Sequence, residues 1–237
     1  EVPMDALLDT NYMLARMATF NPEKATPSIE VSHGATLAAE SEETTHFSIV
    51  DSMGNAVSVT TTLNRTYGSK IFVEGAGFLL NNEMDDFSAK PGAPNAYGLI
   101  GVEANKIEPN KRRISSMSPT IVKREGKNFL VTGSPGGSRI ITTTLQVILN
   151  VIDHGLNVKS AVAAPRIHHQ WLPDRIQFEI DALSPETKRT LEHWGHEVEP
   201  WEKDSKINAV MGLANGQVVA AGDPRGPSAA GVVVPIP

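Results

Sequence analysis

The sequence predicts an α+β fold, in which helices pack on a mainly antiparallel sheet. Two pairs of short β-branched segments, each joined by a turn, indicate hairpins. Amphipathic segments beginning near residues 140 and 184 indicate helices. Predicted strands outnumber predicted helices, and the chain has no internal repeat, so layers of sheet and helix are favoured.

The 237 residues are 40% hydrophobic and 20% charged, an ordinary globular composition. With 27 acidic and 21 basic residues the net charge is −6, and no basic block favours a nucleic-acid partner. The absence of cysteine excludes disulfides, thiolate zinc sites and a cysteine nucleophile. No apolar run approaches the ~18 residues of a membrane span, and the first residues do not resemble a signal peptide. We therefore expect a soluble segment.

Apolar residues at helical spacing predict one short helix over residues 5–20, which ends at Asn21–Pro22 because proline cannot continue the hydrogen-bond ladder. The polar stretch from Pro22 to Glu43 has no clear period and ends in acidic residues. It is typical of an exposed connector.

Two alternating segments at residues 46–51 and 56–63 predict a β-hairpin. If its loop has three residues, with Gly54 in the left-handed conformation, Thr44 lies opposite Thr62. A four-residue loop would shift this pairing by one residue.

Residues 75–109 are predicted to be rich in loops, and the remaining elements follow them along the chain. Strands are expected near 120–123, 128–132, 177–179, 210–213 and 218–221. Helices are expected from Ile140 to near Gly155, over Val158–Ala164 and over Ser184–Trp194.

The glycine-rich segment Gly133–Arg139 joins a predicted strand to a predicted helix. Free backbone N–H groups and the positive end of the helix dipole favour an anion or a developing oxyanion there. The glycine spacing matches neither a Walker loop nor a dinucleotide-binding turn. A phosphate site and a plain tight turn both remain possible readings.

Three other groups have both a functional and a structural interpretation. Glu83, Asp85 and Asp86 could hold an ammonium or a metal, or form a solvated acidic turn. Ser115 and Ser116 offer hydroxyl donors but also suit a turn before proline. The adjacent residues 168–169 are histidines that point to opposite faces of an extended segment, which favours a structural role over one metal site.

Thr44 and Thr45 follow the acidic connector and enter a strand. Strand propensity alone accounts for two threonines at this position. A backbone cut before Thr44 would give it a free α-amine beside its own hydroxyl, which combines nucleophile and base in one residue.

Six motifs then occur in order along the chain. They are Thr44–Ser48, Leu79–Ser88, Pro109–Arg112, Ser115–Thr120, Gly133–Arg139 and Ala164–Gln170. Together they closely resemble the gamma-glutamyltranspeptidase family, whose precursor cuts itself into a large and a small subunit. The resemblance implies an N-terminal nucleophile hydrolase fold, an αββα sandwich of two stacked sheets flanked by helices. It also implies that residues 1–43 end the large subunit and that residues 44–237 form the small catalytic subunit.

The resemblance implies autocatalytic cleavage between Glu43 and Thr44, followed by attack of Thr44 on the γ-amide carbonyl of glutathione or another γ-glutamyl compound. Water, or an amino acid or peptide acceptor, then takes the γ-glutamyl group. The implied partner is the chain's own large subunit, which holds a carboxylate-binding arginine upstream of residue 1. The resemblance implies no cofactor or metal, and it implies a periplasmic or secreted location.

The resemblance also assigns roles to individual residues. Thr62 would hydrogen-bond Thr44, and Gly136 and Gly137 would form the oxyanion hole. The substrate α-ammonium would be bound by Asn64, Glu83 and Asp86. The α-carboxylate would be bound by Ser115 and Ser116. A lid at residues 90–98 would cover the pocket, with Tyr97 closing against Asn64.

Two alternatives remain open. Relatives of the same fold act on glutaryl-cephalosporins or on poly-γ-glutamate. An unprocessed relative could instead be a non-catalytic binding module, because a blocked amine cannot act as a base.

Overall fold

The computed structural model describes residues 4–31, 43–90, 92, 101–202 and 205–231. Its helices are α1 (Met4–Leu8), α2 (Thr10–Arg16), α3 (Arg139–Ile152), α4 (Val158–Ala163) and α5 (Pro185–His193). Its strands are β1 (Glu43–Val50), β2 (Ala56–Asn64), β3 (Phe72–Val73), β4 (Phe78–Leu79), β5 (Thr120–Arg124), β6 (Lys127–Gly133), β7 (Ile167–His168), β8 (Ile176–Glu179), β9 (Val198–Trp201), β10 (Asn208–Gly212) and β11 (Val218–Gly222). Short 3₁₀ helices cover Ser28–Glu30, Glu83–Asp86 and Glu103–Asn105.

The expected single helix over residues 5–20 is wrong, because α1 and α2 are separated at Asp9. The Asp9 backbone is extended, and its carboxylate accepts a hydrogen bond of 2.7 Å from the Tyr12 amide. This is an N-cap, which begins a new helix instead of continuing the first. Neither helix buries a side chain.

The predicted hairpin and its register are confirmed. β1 and β2 are antiparallel, Gly54 has φ +85°, and the Asp51 amide donates to the Asn55 carbonyl at 3.0 Å. The loop therefore has three residues, and Thr44 lies opposite Thr62.

The two faces of this hairpin differ in polarity. Because side chains alternate along a strand, Thr44, His46 and Ser48 share the inner face, opposite hydroxyl-bearing residues of β2. On the outer face Phe47 and Ile49 remain 44% and 54% exposed. The hairpin thus turns hydroxyl and imidazole groups inward and leaves apolar groups outward.

A second sheet has the strand order β11-β10-β6-β5, and all of its neighbouring strands are antiparallel. These strands lie close to their predicted positions. Helices α3 and α4 pack on one face of this sheet. The apolar core between sheet and helices consists of Leu130, Val147, Val151, Val158, Ala161, Val162, Ile207, Ala209 and Ala221.

The hairpin packs on the opposite face of this sheet through polar contacts. Ser58 Oγ donates to the Thr132 carbonyl at 3.0 Å, and Asn208 Nδ2 donates to the His46 carbonyl at 3.0 Å. The His46 ring lies directly against Gly133, where an added Cβ would overlap ring atoms. The described residues therefore form three successive layers: hairpin, four-stranded sheet and helices.

A third sheet, β7-β8-β9, differs from the prediction. β7 and β9 were not predicted, and β8 and β9 run parallel and are joined through α5. Pro200 lies within β9, at the edge of this sheet, where proline is tolerated because one side of the strand needs no partner. The sequence pattern did not predict β9 because the strand has only four residues and one of them is proline.

A buried ion network joins the carboxyl-terminal strands to α4. Arg166 pairs with Asp223 at 2.7 Å, and Arg225 contacts both Glu179 at 2.6 Å and Asp223 at 3.0 Å. Arg166 also donates to the Ser205 carbonyl at 2.8 Å. Because each charge is paired and hydrogen-bonded, the network can be buried without an isolated ion.

Among the described helices, none has the length and apolar character needed to cross a membrane.

Replacing Gly133 by Ala should destabilise the protein, because the new methyl group must push His46 out of its contact with β6. We expect a loss of about 1–3 kcal/mol in the free energy of unfolding, measured by urea titration of the full-length protein. Gly231→Ala is the matched control, since an added Cβ there meets open space. Equal urea midpoints for the two variants would contradict the contact.

Candidate functional site

Thr44 and the glycine-rich turn lie at the same end of the stacked layers. Ser58, which pairs with Ser48, contacts Thr132, and His46 contacts Gly133 one residue further along β6. Residues of β1 that are closer to Thr44 therefore lie closer to the carboxyl end of β6. That direction leads to the turn that precedes α3.

The strand ladder is interrupted at the Glu43–Thr44 peptide bond. Thr44 pairs with Thr62, whereas Glu43 pairs with Asn64, so one extra residue of β2 lies opposite this bond. Asn64 has φ +76°, in the left-handed region, and its amide donates to Thr62 Oγ1 at 2.8 Å. This is a β-bulge, a feature that often accompanies functional sites.

The turn before α3 requires glycine. Gly136 has φ +128° and Gly137 has φ +58°, and a Cβ on Gly136 would lie 2.5 Å from Ser205 Oγ. Within the described part of the chain, neither glycine amide donates a hydrogen bond. Two N–H groups at the start of a 14-residue helix are suited to stabilising an oxyanion.

The two serines of the predicted carboxylate site have different surroundings. Ser116 is buried, and its hydroxyl donates to the Gly137 carbonyl at 2.7 Å. Ser115 is exposed, and its hydroxyl oxygen accepts from the Met117 amide at 3.3 Å. A hydroxyl carries one proton, and the Ser116 proton is used in the hydrogen bond to Gly137, so Ser116 stabilises the glycine-rich turn. Ser115 lines the adjoining pocket.

Asn64, Glu83 and Asp86 are brought together by Asn82. The Asn64 side-chain amide donates to the Asn82 carbonyl at 3.0 Å, and the Asn82 amide donates to the Leu63 carbonyl at 3.1 Å. The 3₁₀ helix Glu83–Asp86 begins at the next residue. The sequence-predicted ammonium set is therefore contiguous with the end of β2.

Arg113 lies within this acidic group. Its guanidinium donates to Glu83 through Nε at 2.9 Å and through Nη2, and its Nη1 lies 3.1 Å from Asp86 Oδ2. Burial raises the pKa of Asp86 to about 6, although the Arg113 charge opposes this rise. Glu83, Arg113 and Ser115 line a pocket of about 340 Å³.

His46 is 4% exposed and hydrogen-bonded at both ring nitrogens. Nδ1 lies 2.8 Å from Thr60 Oγ1, and Nε2 lies 2.9 Å from Ser48 Oγ. Burial lowers the pKa of the imidazole to about 4. A neutral ring therefore fills the space between the hairpin and Gly133 at neutral pH.

The adjacent histidines at the end of β7, His168 within the strand and His169 directly after it, face opposite sides, as predicted. His168 is buried, with Nδ1 2.8 Å from Thr142 Oγ1, and His169 lies 3.4 Å from Asp174 on the other side. Within the described residues, no group of three His, Asp or Glu side chains is arranged to hold a metal ion.

Tyr97 and most of the predicted lid at residues 90–98 lie outside the described residues.

Sequence reasoning missed Arg113, His46 and Asn105, each of which orders the site. Asn105 donates to the Asp86 carbonyl at 2.7 Å and accepts from the Ile114 amide at 3.2 Å. Arg113 directly follows the motif Pro109–Arg112, but nothing in the local pattern separates it from Lys111 or Arg112. The only sequence signal for His46 is its place on the inner face of the predicted hairpin.

Comparisons with known proteins agree with this arrangement. A model of the family described as gamma-glutamyltranspeptidase matches residues 1–233. A glutathione hydrolase proenzyme of Escherichia coli K12 is 52% identical over 225 residues, which cover 95% of this chain and 39% of that protein. The chain thus spans about two fifths of the length of this curated relative.

Solved structures show the same likeness. A Helicobacter pylori gamma-glutamyltranspeptidase T380A mutant is 54% identical, with a TM-score of 0.74, and the alignment covers 77% of this chain and 100% of that one. A Pseudomonas nitroreducens gamma-glutamyltranspeptidase complexed with L-DON is 50% identical, with a TM-score of 0.74 and coverage of 81% and 100%.

A hairpin stacked on a second sheet, with helices on the far side, is the α+β arrangement of the N-terminal nucleophile hydrolases, and these neighbours share that fold. The predicted fold class is therefore confirmed. With the family model covering nearly the whole length, the chain belongs to the gamma-glutamyltranspeptidase family.

Acid should destabilise the protein partly through His46. The pKa of the imidazole is about 6.5 in the unfolded chain and about 4 in the folded protein. Between these two pH values the unfolded state therefore binds one more proton than the folded state does. The stability that is present above pH 6.5 is lost as the pH drops towards 4. We expect His46→Gln to make the loss of unfolding free energy between pH 7 and pH 5 smaller by about 1 kcal/mol.

The measurement is chemical denaturation at several pH values, and His154→Gln, a change at an exposed histidine, is the control. Parallel pH slopes for the wild type and His46→Gln would contradict this role of the buried ring.

Proposed function

We propose that this chain carries the catalytic half of a γ-glutamyltransferase and glutathione hydrolase, with Thr44 as the nucleophile. The observation that carries the proposal is the joint placement of Thr44, opposite Thr62, and the Gly136–Gly137 turn at one end of the layers. Family membership supports the same reaction, since the E. coli relative is named a glutathione hydrolase proenzyme.

Maturation is proposed to break the Glu43–Thr44 peptide bond. In an uncleaved precursor the Thr44 nitrogen is an amide and cannot act as a base. The β-bulge opposite the bond, at residues 63–64, supports this cleavage point because it takes the bond out of the regular ladder. Hydrolysis gives Glu43 a carboxylate and Thr44 a free α-amine.

After cleavage, the Thr44 α-amine accepts the proton of the Thr44 hydroxyl as Oγ1 attacks the γ-amide carbonyl carbon. The carbonyl oxygen becomes an oxyanion, which the amides of Gly136 and Gly137 stabilise. Collapse of this intermediate breaks the C–N bond, and the amine leaves with the proton. Water or an acceptor amine then attacks the ester and restores the Thr44 hydroxyl.

The substrate's charged groups are proposed to bind at the end of β2. Asn64, Glu83 and Asp86 surround the α-ammonium, with carboxylates as charge-assisted acceptors. Ser115 and Ser116 are the proposed carboxylate residues: Ser115 offers its exposed hydroxyl, whereas Ser116, whose hydroxyl donates to the Gly137 carbonyl, places the glycine turn beside that group. Tyr97 keeps its predicted role in a lid that closes against Asn64.

The proposed domain boundary lies at the same bond, with residues 1–43 ending a large subunit and residues 44–237 forming the small one. Support comes from the solved chains that align over 98–100% of their own length while covering 76–81% of this chain. The exposed apolar outer face of the hairpin, and a groove of about 780 Å³ along β1, support a large-subunit partner at that side. By family resemblance we propose a periplasmic or secreted location.

Thr44→Ala in the full-length precursor should abolish both chain cleavage and γ-glutamyl turnover, because the variant lacks the attacking oxygen. Intact-mass spectrometry detects the break before residue 44, and release of p-nitroaniline from γ-glutamyl-p-nitroanilide detects turnover. Thr45→Ala is the matched control, since that side chain is exposed on the other face of β1. A Thr44→Ala protein that still splits normally would refute the mechanism.

Thr62→Val should lower kcat at least tenfold while leaving the fold in place, since it removes a hydroxyl opposite Thr44 and keeps the side-chain shape. Thr61→Val, on the exposed face of β2, serves as control.

Steady-state kinetics with glutathione, a glutaryl amide and a γ-linked polymer also separates the proposed substrate from those of acylase and poly-γ-glutamate relatives. Turnover of only the glutaryl amide or the polymer would redirect the substrate assignment.

A further inference from the structure

Arg113 occupies a position between the two carboxylates of the proposed ammonium site. Glu83 and Asp86 lie one turn apart on a 3₁₀ helix, whereas Arg113 comes from the separate segment before Ser115. The guanidinium reaches Glu83 at 2.9 Å and Asp86 at 3.1 Å. The side chains of Arg113, Glu83 and Asp86 are only 15%, 23% and 4% exposed, so solvent screens this contact weakly.

The backbone holds the guanidinium in this position. Asn105 ties the Asp86 carbonyl to the Ile114 amide, which fixes the 3₁₀ helix relative to the Arg113 segment. Arg113 Nη1 also donates to the Ile114 carbonyl at 3.2 Å. The bridge therefore rests on a defined geometry of both segments.

The net charge of the Arg113, Glu83 and Asp86 group determines which ligand charge it complements. Two neighbouring carboxylates resist ionising together, whereas a guanidinium between them favours the doubly ionised form. Glu83, Asp86 and Arg113 then carry a net charge of −1, which complements one ammonium group.

Other charged groups surround this trio. Asp85, on the same 3₁₀ helix, adds negative charge but pairs with Arg65 at 3.6 Å. Lys111 and Arg112 line the same pocket as Glu83 and Arg113, and Lys111 pairs with Glu108 at 2.9 Å. Direct bridging of both proposed ammonium ligands distinguishes Arg113 from these cations.

We propose that Arg113 is a positioning residue of the ammonium site, which orients Glu83 and Asp86 for a substrate that carries an α-ammonium and favours the carboxylate form of Asp86. The inference rests on the proposed function, because it deepens the role given there to Glu83 and Asp86. Arg113 acts through these carboxylates, and the bond-breaking steps remain with Thr44 and the glycine turn.

The test compares L-glutamate, which has an α-ammonium, with glutarate, which lacks it, as competitive inhibitors of the mature full-length enzyme between pH 5 and pH 8. Without the guanidinium the pKa of Asp86 rises further, so glutamate binding is lost at a higher pH. We expect Arg113→Gln to raise the pH midpoint for glutamate inhibition by about one unit. At a pH below both midpoints, this shift alone makes the variant bind glutamate about tenfold more weakly than the wild type does. Any change in glutarate affinity should be independent of pH.

Two variants complete the design. Arg113→Lys restores a cation without the two-pronged geometry, so it should keep the wild-type pH midpoint and weaken glutamate at all pH values. Arg189→Gln, at an exposed arginine of α5 that does not line this pocket, should leave the midpoint unchanged. If Arg113→Gln does not mature, Arg113→Met provides the same removal of charge.

An unchanged midpoint in the neutral variant, or equal weakening of glutamate and glutarate at every pH, would overturn the proposal and leave Arg113 a purely structural brace. Failure of the proposed function gives a different result, in which the wild type itself neither releases amine from γ-glutamyl-p-nitroanilide nor binds glutamate.

Discussion

The contact between His46 and Gly133 is the constraint on which the arrangement of the site depends. It sets the distance and the alignment between the hairpin and β6, because the imidazole fits only where β6 has no Cβ. From this one contact, β1 leads back to Thr44 and β6 leads forward to Gly136. The proposed nucleophile and the proposed oxyanion donors are thus positioned by the same interlayer packing.

The interface between the hairpin and the sheet is polar, whereas the apolar core lies on the far side of the sheet. Hydroxyl groups of Ser48 and Thr60 bind both nitrogens of a neutral His46, and Ser58 binds the backbone of β6. Directional hydrogen bonds specify positions more narrowly than apolar contacts do. Such an interface suits a site in which small groups must keep fixed distances.

The hairpin, its register and the strand-turn-helix at Gly133–Arg139 could be predicted because local rules determine them: alternation, loop length and glycine conformation. The break at Asp9 and the strand containing Pro200 were missed, since a side-chain cap and a tertiary pairing overrode the local pattern. Arg113 could not be assigned from the sequence, because its role depends on a contact across 30 positions with Glu83. Long-range ion pairs leave no periodic signal.

Activation of the Thr44 hydroxyl by the freed amino group of the same residue is the proposed step on which the mechanism depends. It is tested most directly by acid-quenching the full-length enzyme during turnover of γ-glutamyl-p-nitroanilide and mapping its peptides by mass spectrometry. The expected result is a small-subunit peptide that begins at Thr44 and carries one γ-glutamyl group on that residue. A γ-glutamyl group on any other residue, or steady turnover by a chain uncut before Thr44, would contradict it.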